Sequence, residues 1–287
     1  MFFTKHNFQG DRLKVVITGA SGFIGSEMLK ELVRQNDYDV IPVSRQSLDF
    51  QGAILTYDFS NLPEADVLIH CGEPSVASSV GKKEFVENIY RATCILKKKY
   101  SKIIYLSSSV VYGDRYHFNV NEDCPVNINS CYVKSKIEVE KIVIENSGIV
   151  LRLANVYGRK IKKDSLFENI FDQLKKPESV IYLKNVTSER DYIFIDDVVS
   201  CVIGVIKGQV RKGIYNVGTG DSFSVSKVVN LFCQSLEREM PIVTETVPLD
   251  FRSILVLNVE KIKSSIDWIP SVNLEEGINI LVKGYKN

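Results

Sequence analysis

The chain has 287 residues, of which 45% are hydrophobic and 25% are charged, and its formal net charge at pH 7 is +1. This length supports one large domain or two modest ones with a sizeable core, and the composition is typical of a soluble globular protein. Because a chain so close to neutrality generates no strong electrostatic field, neither nucleic acid nor an anionic membrane is an expected partner.

Targeting and redox features point to one compartment. No stretch approaches the ~18 uncharged apolar residues of a membrane span, and the segment MFFTKHNFQGDR at the start lacks the apolar region of a secretion signal. The six cysteines form no C-x-x-C pair and no His/Cys spacing that suits zinc. We therefore expect reduced cysteines, no bound metal and a cytoplasmic location.

Apolar runs and amphipathic segments alternate along the first half of the chain. The predicted strands are 13–18, 39–43, 53–57, 65–70, 102–106 and 148–153, and the predicted helices are 23–35, 84–99 and 132–146. Strands that are apolar throughout, rather than at every second position, indicate a parallel sheet covered by helices on both faces. After Gly158 the alternation weakens, which indicates a smaller mixed lobe.

A glycine-rich turn follows the first predicted strand. The segment TGASGFIG, residues 18–25, places three glycines at intervals of three between a strand and a helix. The first permits a tight turn, the second lets a pyrophosphate approach the backbone, and the third lets the helix pack on the strand. The helix N-terminus supplies N–H donors for the phosphates. A dinucleotide-binding loop is therefore favoured over a merely structural turn, and we predict an α/β fold with a doubly wound parallel sheet of the Rossmann type.

The end of the second predicted strand bears on the choice of dinucleotide. An acidic residue that holds the ribose 2′-hydroxyl should lie about 20 residues beyond the turn. Ser44 and Arg45 follow Val43 there, so the carboxylate that would repel a 2′-phosphate is replaced by a guanidinium that can bind one. NADP(H) is favoured, and NAD(H) is the alternative if Arg45 is only a surface side chain.

These features divide the chain into two lobes. Residues 1–154 are predicted to form the NADP-binding Rossmann domain, to which residues at about 190–220 return, and residues 155–189 and 221–287 are predicted to form a smaller mixed α/β substrate-binding lobe. No internal repeat or low-complexity linker separates the two, so we expect them to interleave.

A tyrosine and a lysine stand four residues apart at the start of the third predicted helix. At this spacing Tyr132 and Lys136 lie on one helical face, with Cβ atoms roughly 5–6 Å apart. One such pair arises easily by chance, so its meaning depends on the surrounding motifs. In chain order these are GASGFIG (19–25), Asp58, SSSVVYG (107–113), YVKSK (132–136), LRLANVYG (151–158), RDYIFIDD (190–197), YNVGTG (215–220) and IDWIP (266–270).

As an ordered set, these motifs resemble those of the extended short-chain dehydrogenase/reductases, a group of nucleotide-sugar epimerases, dehydratases and 4-ketoreductases. The resemblance runs from about Lys14 to the C-terminus and implies a catalytic set of Ser108, Tyr132 and Lys136. Tyr132 would be the general acid/base, and Lys136 would bind the nicotinamide ribose and bring the pKa of the tyrosine toward neutrality. Ser108 lies four residues before the tyrosine of the V-Y-G motif, with Ser109 as the alternative.

The resemblance also implies residues that bind the two ligands. The cofactor set comprises Gly19, Ser21, Gly22, Phe23, Ile24, Gly25, Ser44, Arg45, Asp58, Phe59, Cys71, Tyr132 and Lys136. The substrate set comprises Glu73, Ser109, Asn155, Arg190 and Arg252. Asp58 would accept from the adenine amino group, and Asn155 and the arginines would meet the sugar-nucleotide diphosphate. A plain surface side chain is the alternative for Arg252.

Several matched positions carry a different expectation. Glu73 replaces an alanine of the family's common H-x-A-A, and the sequence leaves open whether it reaches the substrate or is solvated. Asn88 and Arg152 are interpreted as structural. Asp196 and Asp197 are expected to cap a helix that begins at 198, without a chemical role.

Departures from the family pattern narrow the expected activity. The 4,6-dehydratases carry an Asp-Glu pair where this chain has Ser109 and Val110, which cannot perform that proton chemistry. Epimerases usually retain NAD and carry an acidic residue after the second strand, whereas reductases exchange NADPH at every turnover. We therefore predict an NADPH-dependent reductase that acts at carbon 4 of a nucleotide-linked 4-keto-6-deoxyhexose, in sugar biosynthesis for surface polysaccharide such as O-antigen.

Two alternatives remain open at this point. One is an NAD-dependent nucleotide-sugar C4 epimerase. The other, a non-catalytic NADP-binding regulator, is disfavoured because such relatives should lack the Ser/Tyr/Lys set. The resemblance further implies a homodimer formed through the helices at about 84–99 and 132–146.

Overall fold

A parallel sheet of seven strands lies at the centre of the computed structural model, which describes residues 12–59, 61–73, 80–96, 99–114, 118–159, 165–176, 180–184, 186–245 and 253–286. In chain order the strands are β1 (Leu13–Thr18), β2 (Tyr38–Ser44), β3 (Ile54–Leu55), β4 (Val67–His70), β5 (Lys102–Ser108), β6 (Ile149–Leu153), β7 (Asn155–Tyr157), β8 (Val180–Leu183), β9 (Glu189–Arg190), β10 (Tyr192–Phe194), β11 (Gly213–Val217), β12 (Phe223–Ser224), β13 (Ile242–Glu245) and β14 (Ile254–Leu255). The helices are α1 (Phe23–Gln35), α2 (Lys82–Leu96), α3 (Cys131–Glu145), α4 (Leu166–Leu174), α5 (Ile195–Lys207), α6 (Val225–Leu236), α7 (Glu260–Ile266) and α8 (Leu274–Lys286), with a short 3-10 helix at Ser109–Tyr112.

The order of the strands defines the topology of the sheet. Across the sheet the order is β3-β2-β1-β4-β5-β6-β11, and every neighbouring pair is parallel. The direction of winding reverses between β1 and β4, and in such folds the crevice beyond the carboxyl ends of these strands is where ligands bind. The predicted α/β class with a doubly wound sheet is confirmed.

Both faces of the sheet are buried, which explains the apolar strands. Successive side chains of a strand point to opposite faces, so Val15 and Ile17 of β1 pack on one face with Leu32 of α1. On the other face Val16 packs with Ile95 of α2. α1 contacts α5, and α2 contacts α3. A strand whose two faces are both covered is apolar at successive positions, as Val15, Val16 and Ile17 of β1 show.

Several predicted elements differ in length from those of the structure. The predicted bounds of β1 and α1 are confirmed, whereas the strand predicted at 53–57 is only Ile54–Leu55. Its short length follows from its place at the edge, where it pairs only with the last two residues of β2. The helix predicted at 84–99 begins two residues earlier and is described as far as Leu96.

A second core forms the smaller lobe, which is built from short strands and amphipathic helices. β7 pairs with β10, β8 pairs with β13, and β12, β9 and β14 form a three-stranded sheet. Phe167 and Phe171 of α4 pack there with Phe232 of α6 and Leu281 of α8. The ring of Phe167 also stacks on Tyr157 of β7, with centroids 4.7 Å apart.

The C-terminal part of the chain is shared between the two cores. Residues 221–287 were predicted to belong wholly to the smaller lobe, yet α7 contacts α5 and β11. Ile262 and Trp268 lie in the core of the larger lobe. The indole N–H of Trp268 donates to the Ser200 hydroxyl of α5 at 2.9 Å. The chain therefore returns to the Rossmann sheet before α8 joins the smaller lobe.

Three further observations concern the cysteines, membrane-spanning helices and metal sites. All six cysteines are free thiols. Within the described ranges, no helix combines the length and apolar character that spanning a membrane requires. Over the same ranges, no group of three or more His, Cys, Asp or Glu side chains could hold a metal ion.

The predicted capping role of Asp196 and Asp197 is wrong. α5 begins at Ile195, three residues earlier than predicted, and its N-cap residue provides no side-chain hydrogen bond. The buried carboxylate of Asp197 instead accepts from the backbone N–H and the hydroxyl of Ser271, both at 2.8 Å, and from the N–H of Val272 at 3.1 Å. Asp197 thereby ties α5 to the segment that leads into α8.

This tie predicts unequal costs for two adjacent substitutions. Asp197→Ala leaves three donors without their acceptor, so the free energy of unfolding should fall by about 1–3 kcal/mol. Asp196→Ala is the matched control, because Asp196 forms a partly exposed ion pair with Arg159 and such pairs contribute about 0–1 kcal/mol. Denaturant unfolding of both variants measures the difference. Equal losses would contradict the assignment of Asp197 as the tie.

Candidate active site

A cavity of about 380 Å³ opens where the strand order reverses, at the carboxyl ends of the central strands. Its wall includes these predicted site residues: Gly22, Phe23, Ile24, Gly25, Cys71, Glu73, Ser108, Tyr132, Lys136 and Asn155. The predicted residues Gly19, Ser21, Ser44, Arg45, Asp58, Phe59, Ser109 and Arg190 lie outside this lining. Arg252 lies outside the described residues.

The glycine turn allows backbone to pack on backbone. Gly19 has φ +72°, and a Cβ on it would lie 2.6 Å from the carbonyl oxygen of Cys71. A Cβ on Gly25 would lie 2.1 Å from the carbonyl oxygen of Gly19. Gly22 is the N-cap of α1 and makes no side-chain capping hydrogen bond. The first turn of α1 contains no acidic residue. The exposed N–H groups and the positive end of the helix dipole therefore fit the pyrophosphate of a dinucleotide.

Cationic side chains surround the end of β2. The Ser44 hydroxyl lies 2.7 Å from that of Ser21, which ties the strand end to the glycine turn. Arg45 follows it, and partial burial together with the nearby guanidinium of Arg91 lowers its pKa. Arg91 of α2 donates to Glu87 at 2.7 Å, so one of the two arginines is already paired with a carboxylate. A phosphate group would relieve the repulsion between these two cations.

The two residues that follow β3 have different environments. Asp58 accepts from the Thr56 hydroxyl at 3.2 Å. Phe59 was predicted to contact the cofactor, but its side chain lies in the core, with 1% of its surface exposed. Its ring meets that of His70 edge to face, with centroids 6.3 Å apart. Phe59 could therefore contact a cofactor only through its backbone.

Three consecutive serines at the end of β5 face different surroundings. Ser107 donates to Glu140 at 2.5 Å and is buried. Ser109 is buried as well, with 3% of its surface exposed, and it lies outside the cavity lining. Ser108 lines the cavity, and its Oγ accepts from the N–H of Val110 at 3.3 Å. Of the two candidate serines, Ser108 is the one that faces the cavity.

The tyrosine and the lysine enter the cavity from the first turns of α3. Ser130 caps this helix by accepting from the N–H of Val133 at 3.2 Å, which fixes where the first turn begins. Tyr132 and Lys136 then lie one turn apart on the face that lines the cavity. The Nζ of Lys136 lies 5.8 Å from the centroid of the Tyr132 ring.

Glu73 contacts this lysine directly. Its side chain is only 4% exposed, so the possibility that it is solvated is excluded. Its Oε2 lies 2.8 Å from Nζ of Lys136 and accepts from the Tyr105 hydroxyl at 2.7 Å. Lys136 also donates to the backbone carbonyl of Leu106 at 3.3 Å. Neither this ion pair nor the hydrogen bond from Tyr105 was predicted from the sequence.

Both partners of this ion pair are charged despite their burial. Burial alone would raise the pKa of Glu73, but the Lys136 ammonium and the His70 ring outweigh it and hold that pKa well below its usual range. Burial would likewise lower the pKa of Lys136, but the charge of Glu73 outweighs it and raises that pKa. At neutral pH the cavity therefore holds an ammonium and a carboxylate in contact.

A second buried ion pair supports the back of α3. Arg152 of β6 donates to both oxygens of Glu140, the shortest contact being 2.7 Å. Nearby, the Asn88 amide of α2 donates to the Ser135 hydroxyl at 3.1 Å. Arg152 and Asn88 thus hold α3 against the sheet and against α2, in agreement with their interpretation as structural residues.

The smaller lobe supplies the opposite wall of the cavity. Its lining residues are Ser165, Leu166, Phe167 and Tyr192, and sequence reasoning singled out none of them as site residues. Asn155 lies between the lobes, and its amide donates to the Asp191 carbonyl at 3.1 Å. Arg190 donates to Asp114 at 2.7 Å and to the Ser253 carbonyl at 3.0 Å, away from the cavity wall.

Comparison with known proteins agrees with this geometry. The family model described as "NAD dependent epimerase/dehydratase family" matches residues 15–218. A dTDP-4-dehydro-6-deoxyglucose reductase from Escherichia coli is 23% identical, over 95% of this chain and 97% of the relative. A putative UDP-glucose 4-epimerase from Methanocaldococcus jannaschii is 27% identical, over 95% of this chain and 98% of the relative.

Solved structures share the fold over nearly the whole chain. UDP-glucose 4-epimerase from Thermotoga maritima, solved with UDP-glucose, has a TM-score of 0.83 and 23% identity and covers 96% of this chain and 99% of its own. Structures with this fold carry different cofactors. A dTDP-glucose 4,6-dehydratase from Bacillus anthracis, in complex with NAD, has a TM-score of 0.82 and 19% identity and covers 96% of each chain. RMD from Pseudomonas aeruginosa, complexed with NADPH, has a TM-score of 0.82 and 15% identity and covers 96% of this chain and 99% of its own. The fold therefore binds a nicotinamide dinucleotide without selecting between the two.

The glycine turn predicts a site-specific effect of one methyl group. Gly25→Ala places a Cβ 2.1 Å from the Gly19 carbonyl oxygen, so the turn must shift. We expect weaker dinucleotide binding, measured by fluorescence titration, and a loss of about 1–3 kcal/mol in the free energy of unfolding. Gly284→Ala in α8 is the control, since its nearest neighbour, the Arg159 carbonyl oxygen, lies 3.7 Å away. Equal effects of the two substitutions would contradict this account.

Proposed function

Since the chain belongs to the NAD dependent epimerase/dehydratase family, we propose that it is an NADPH-dependent reductase acting at carbon 4 of a nucleotide-linked 4-keto-6-deoxyhexose. Its relatives are extended short-chain dehydrogenase/reductases that modify nucleotide sugars. The observation that carries the choice of a reductase is the end of β2, where Arg45 stands in place of an acidic residue and the guanidinium of Arg91, paired with Glu87, lies nearby. A guanidinium suits a 2′-phosphate, which an acidic residue at this position would repel.

The catalytic residues act on the carbonyl oxygen of the sugar. Tyr132 donates its phenolic proton, so that its O–H bond breaks as an O–H bond forms on the sugar oxygen. Ser108 donates a hydrogen bond to the same oxygen, and Lys136 binds the ribose next to the nicotinamide and orients the tyrosine. The nicotinamide, when bound, supplies the hydride that reaches carbon 4.

The substrate would lie between the lobes. Asn155 lines the cavity and would meet the diphosphate, and the aromatic side chains of Phe167 and Tyr192 line the same cavity. The 4-keto-6-deoxy sugar is inferred from the reductase relative from Escherichia coli, which aligns over 95% of this chain. Arg190 could join the diphosphate only after exchanging its contact with Asp114, because that contact turns its guanidinium from the cavity.

The cellular setting follows from the same proposal. Six free thiols suit a reducing cytoplasm, and the product would serve surface polysaccharide synthesis. We also propose a homodimer through α2 and α3, which contact each other, because Val86 and Tyr90 of α2 are 63% and 56% exposed. A measured molar mass near twice the 32.4 kDa of one chain would support it, and that of a single chain would refute it.

An NAD-dependent C4 epimerase is the second candidate. It is favoured by the relative from Methanocaldococcus jannaschii, which aligns over 95% of this chain. An epimerase returns the same hydride to the sugar, so it should be purified with tightly held NAD. A reductase must release its cofactor at every turnover, so it should bind NADPH reversibly.

Assay of NADPH oxidation against a panel of substrates tests the reductase proposal. The panel comprises 4-keto-6-deoxy sugars carried on dTDP, GDP, CDP and UDP, and we expect turnover of at least one. Tyr132→Phe is the matched variant: it should bind NADPH normally while turnover falls by about 10²–10⁴-fold, as expected for loss of a general acid. No turnover across the panel, together with interconversion of unmodified hexose nucleotides, would favour the epimerase.

The cofactor assignment makes a separate prediction. Arg45→Ala should weaken NADPH binding by about 10–100-fold, which corresponds to the loss of a hydrogen bond to a charged group, with little change for NADH. Arg34→Ala is the control, since that exposed arginine lies in the last turn of α1 and is paired with Glu31. Isothermal titration with both dinucleotides measures the ratio. An equal loss for NADPH and NADH would overturn the assignment of NADP.

A further inference from the structure

Glu73 is the feature of the cavity that the proposed mechanism leaves unused. The Nζ of Lys136 lies 2.8 Å from Glu73 Oε2 and 5.8 Å from the centroid of the Tyr132 ring. The lysine therefore contacts a carboxylate and also lies close to the phenol that handles the proton. Glu73 itself lies on the cavity wall, and only 4% of its side-chain surface is exposed to solvent.

Glu73 is held by a hydrogen bond at one carboxylate oxygen and lies near His70 at the other. Oε2 accepts from the Tyr105 hydroxyl at 2.7 Å, while Oε1 faces Nε2 of His70 at 3.6 Å. The other ring nitrogen of His70 lies 2.7 Å from the Thr18 hydroxyl. The rings of His70 and Tyr105 stack with their centroids 5.5 Å apart. Among the described residues Oε1 has no hydrogen-bond partner, whereas Tyr105 of β5 holds Oε2, so the position of the carboxylate does not depend on the lysine alone.

The electrostatic effect on the tyrosine follows from these positions. A lone ammonium beside a phenol stabilises the phenolate and promotes loss of the proton. A carboxylate in contact with that ammonium cancels much of its charge, and in a buried site this cancellation is little screened by solvent. The phenol of Tyr132 is therefore closer to a neutral environment than the Tyr-x-x-x-Lys motif alone would provide.

We propose that Glu73 is a positioning residue that holds Lys136 and, through its charge, keeps Tyr132 protonated, so that the site is set for proton donation to a carbonyl rather than for proton abstraction from a hydroxyl. This inference rests on the proposed function, in which Tyr132 is the proton donor. Reduction of a ketone begins with a protonated tyrosine. Epimerisation begins with removal of a proton from the sugar hydroxyl, which a deprotonated tyrosine performs better.

The other ionisable groups around this cluster do not supply the missing charge. Among the described residues these are His70 and Cys71 at the end of β4, Tyr105 of β5, Glu140 of α3 and Arg152 of β6. Glu140 is neutralised by Arg152 at 2.7 Å. Burial and the charge of Glu73 raise the pKa of Tyr105, and burial raises that of Cys71 to about 12, so both stay neutral. His70 lies against Glu73, with Nε2 3.6 Å from Oε1, and against the ring of Tyr105.

The test is a pH titration of Tyr132 in the protein without substrate. Tyrosinate absorbance is measured for the wild type and for Glu73→Gln, each against the same protein with Tyr132→Phe, so that the difference reports this one phenol. Glutamine keeps the shape and an acceptor for Lys136 and Tyr105 but removes the charge. We expect the midpoint of Tyr132 to fall by about one pH unit or more in the variant. A midpoint that is unchanged or higher would overturn the proposal.

Tyr105→Phe is the matched control. It removes one hydrogen bond from Glu73 and leaves the carboxylate charge, so the midpoint should move much less than in Glu73→Gln. A shift as large as that of Glu73→Gln would mean that packing rather than charge sets the titration, and would overturn the proposal. If Glu73→Gln does not fold, Glu73→Ala replaces it. Added formate should then return the midpoint toward that of the wild type, and no response to formate would count against the charge.

A rate profile separates this inference from the function on which it rests. With a substrate from the panel, the rate of NADPH oxidation should fall on the alkaline side as the tyrosine loses its proton. In Glu73→Gln this fall should begin at a lower pH, by the same interval as the titration midpoint. Turnover with an unshifted profile would leave the reductase standing and refute the role of Glu73. A shifted tyrosine titration without reduction of any panel substrate would refute the reductase and leave the electrostatic role of Glu73 in place.

Discussion

A buried ammonium needs a partner of opposite charge, and the arrangement of the cavity depends on how Lys136 meets this need. An uncompensated ammonium in such a place would lose its proton or disrupt the packing, because burial penalises the charged form. Glu73 lies 2.8 Å away and removes that penalty. The carboxylate comes from the loop after β4 and the lysine from α3, so their contact holds a helix and a loop together at the carboxyl edge of the sheet.

That contact exists because the parallel register brings the strand ends to one edge. His70 and Tyr105 are direct neighbours across β4 and β5, and three residues beyond His70 the chain reaches Glu73. Tyr105 lies in the middle of β5, and its hydroxyl donates to the carboxylate. A slip of one residue between these strands would turn one of the two side chains to the opposite face. The ion pair is therefore a consequence of the register as much as of the residue types.

Much of the fold could be predicted from the sequence, because the larger lobe depends on local patterns. The apolar strands, the glycine turn and the helix at Phe23–Gln35 are each specified within about a dozen residues. The surroundings of Glu73 could not be predicted in this way, since its partners come from positions 32 and 63 residues further along the chain. The role of Asp197 was missed for the same reason: its partners at Ser271 and Val272 belong to a distant segment. The wall formed by Phe167 and Tyr192 depends on short strands whose pairing leaves little trace in the sequence.

Two buried ion pairs flank α3, and the comparison between them explains why only one should affect the chemistry. The pair between Glu140 and Arg152 lies behind the helix, with exposed fractions of 4% for both side chains, and neither residue lines the cavity. The pair between Glu73 and Lys136 is equally buried, but both members lie on the cavity wall beside Tyr132. Each pair anchors the helix, and a buried pair of this kind costs several kcal/mol of stability when one partner is removed. Only the second also sets the electrostatic environment of a phenol, so a change of charge there should alter proton transfer even where the helix stays in place.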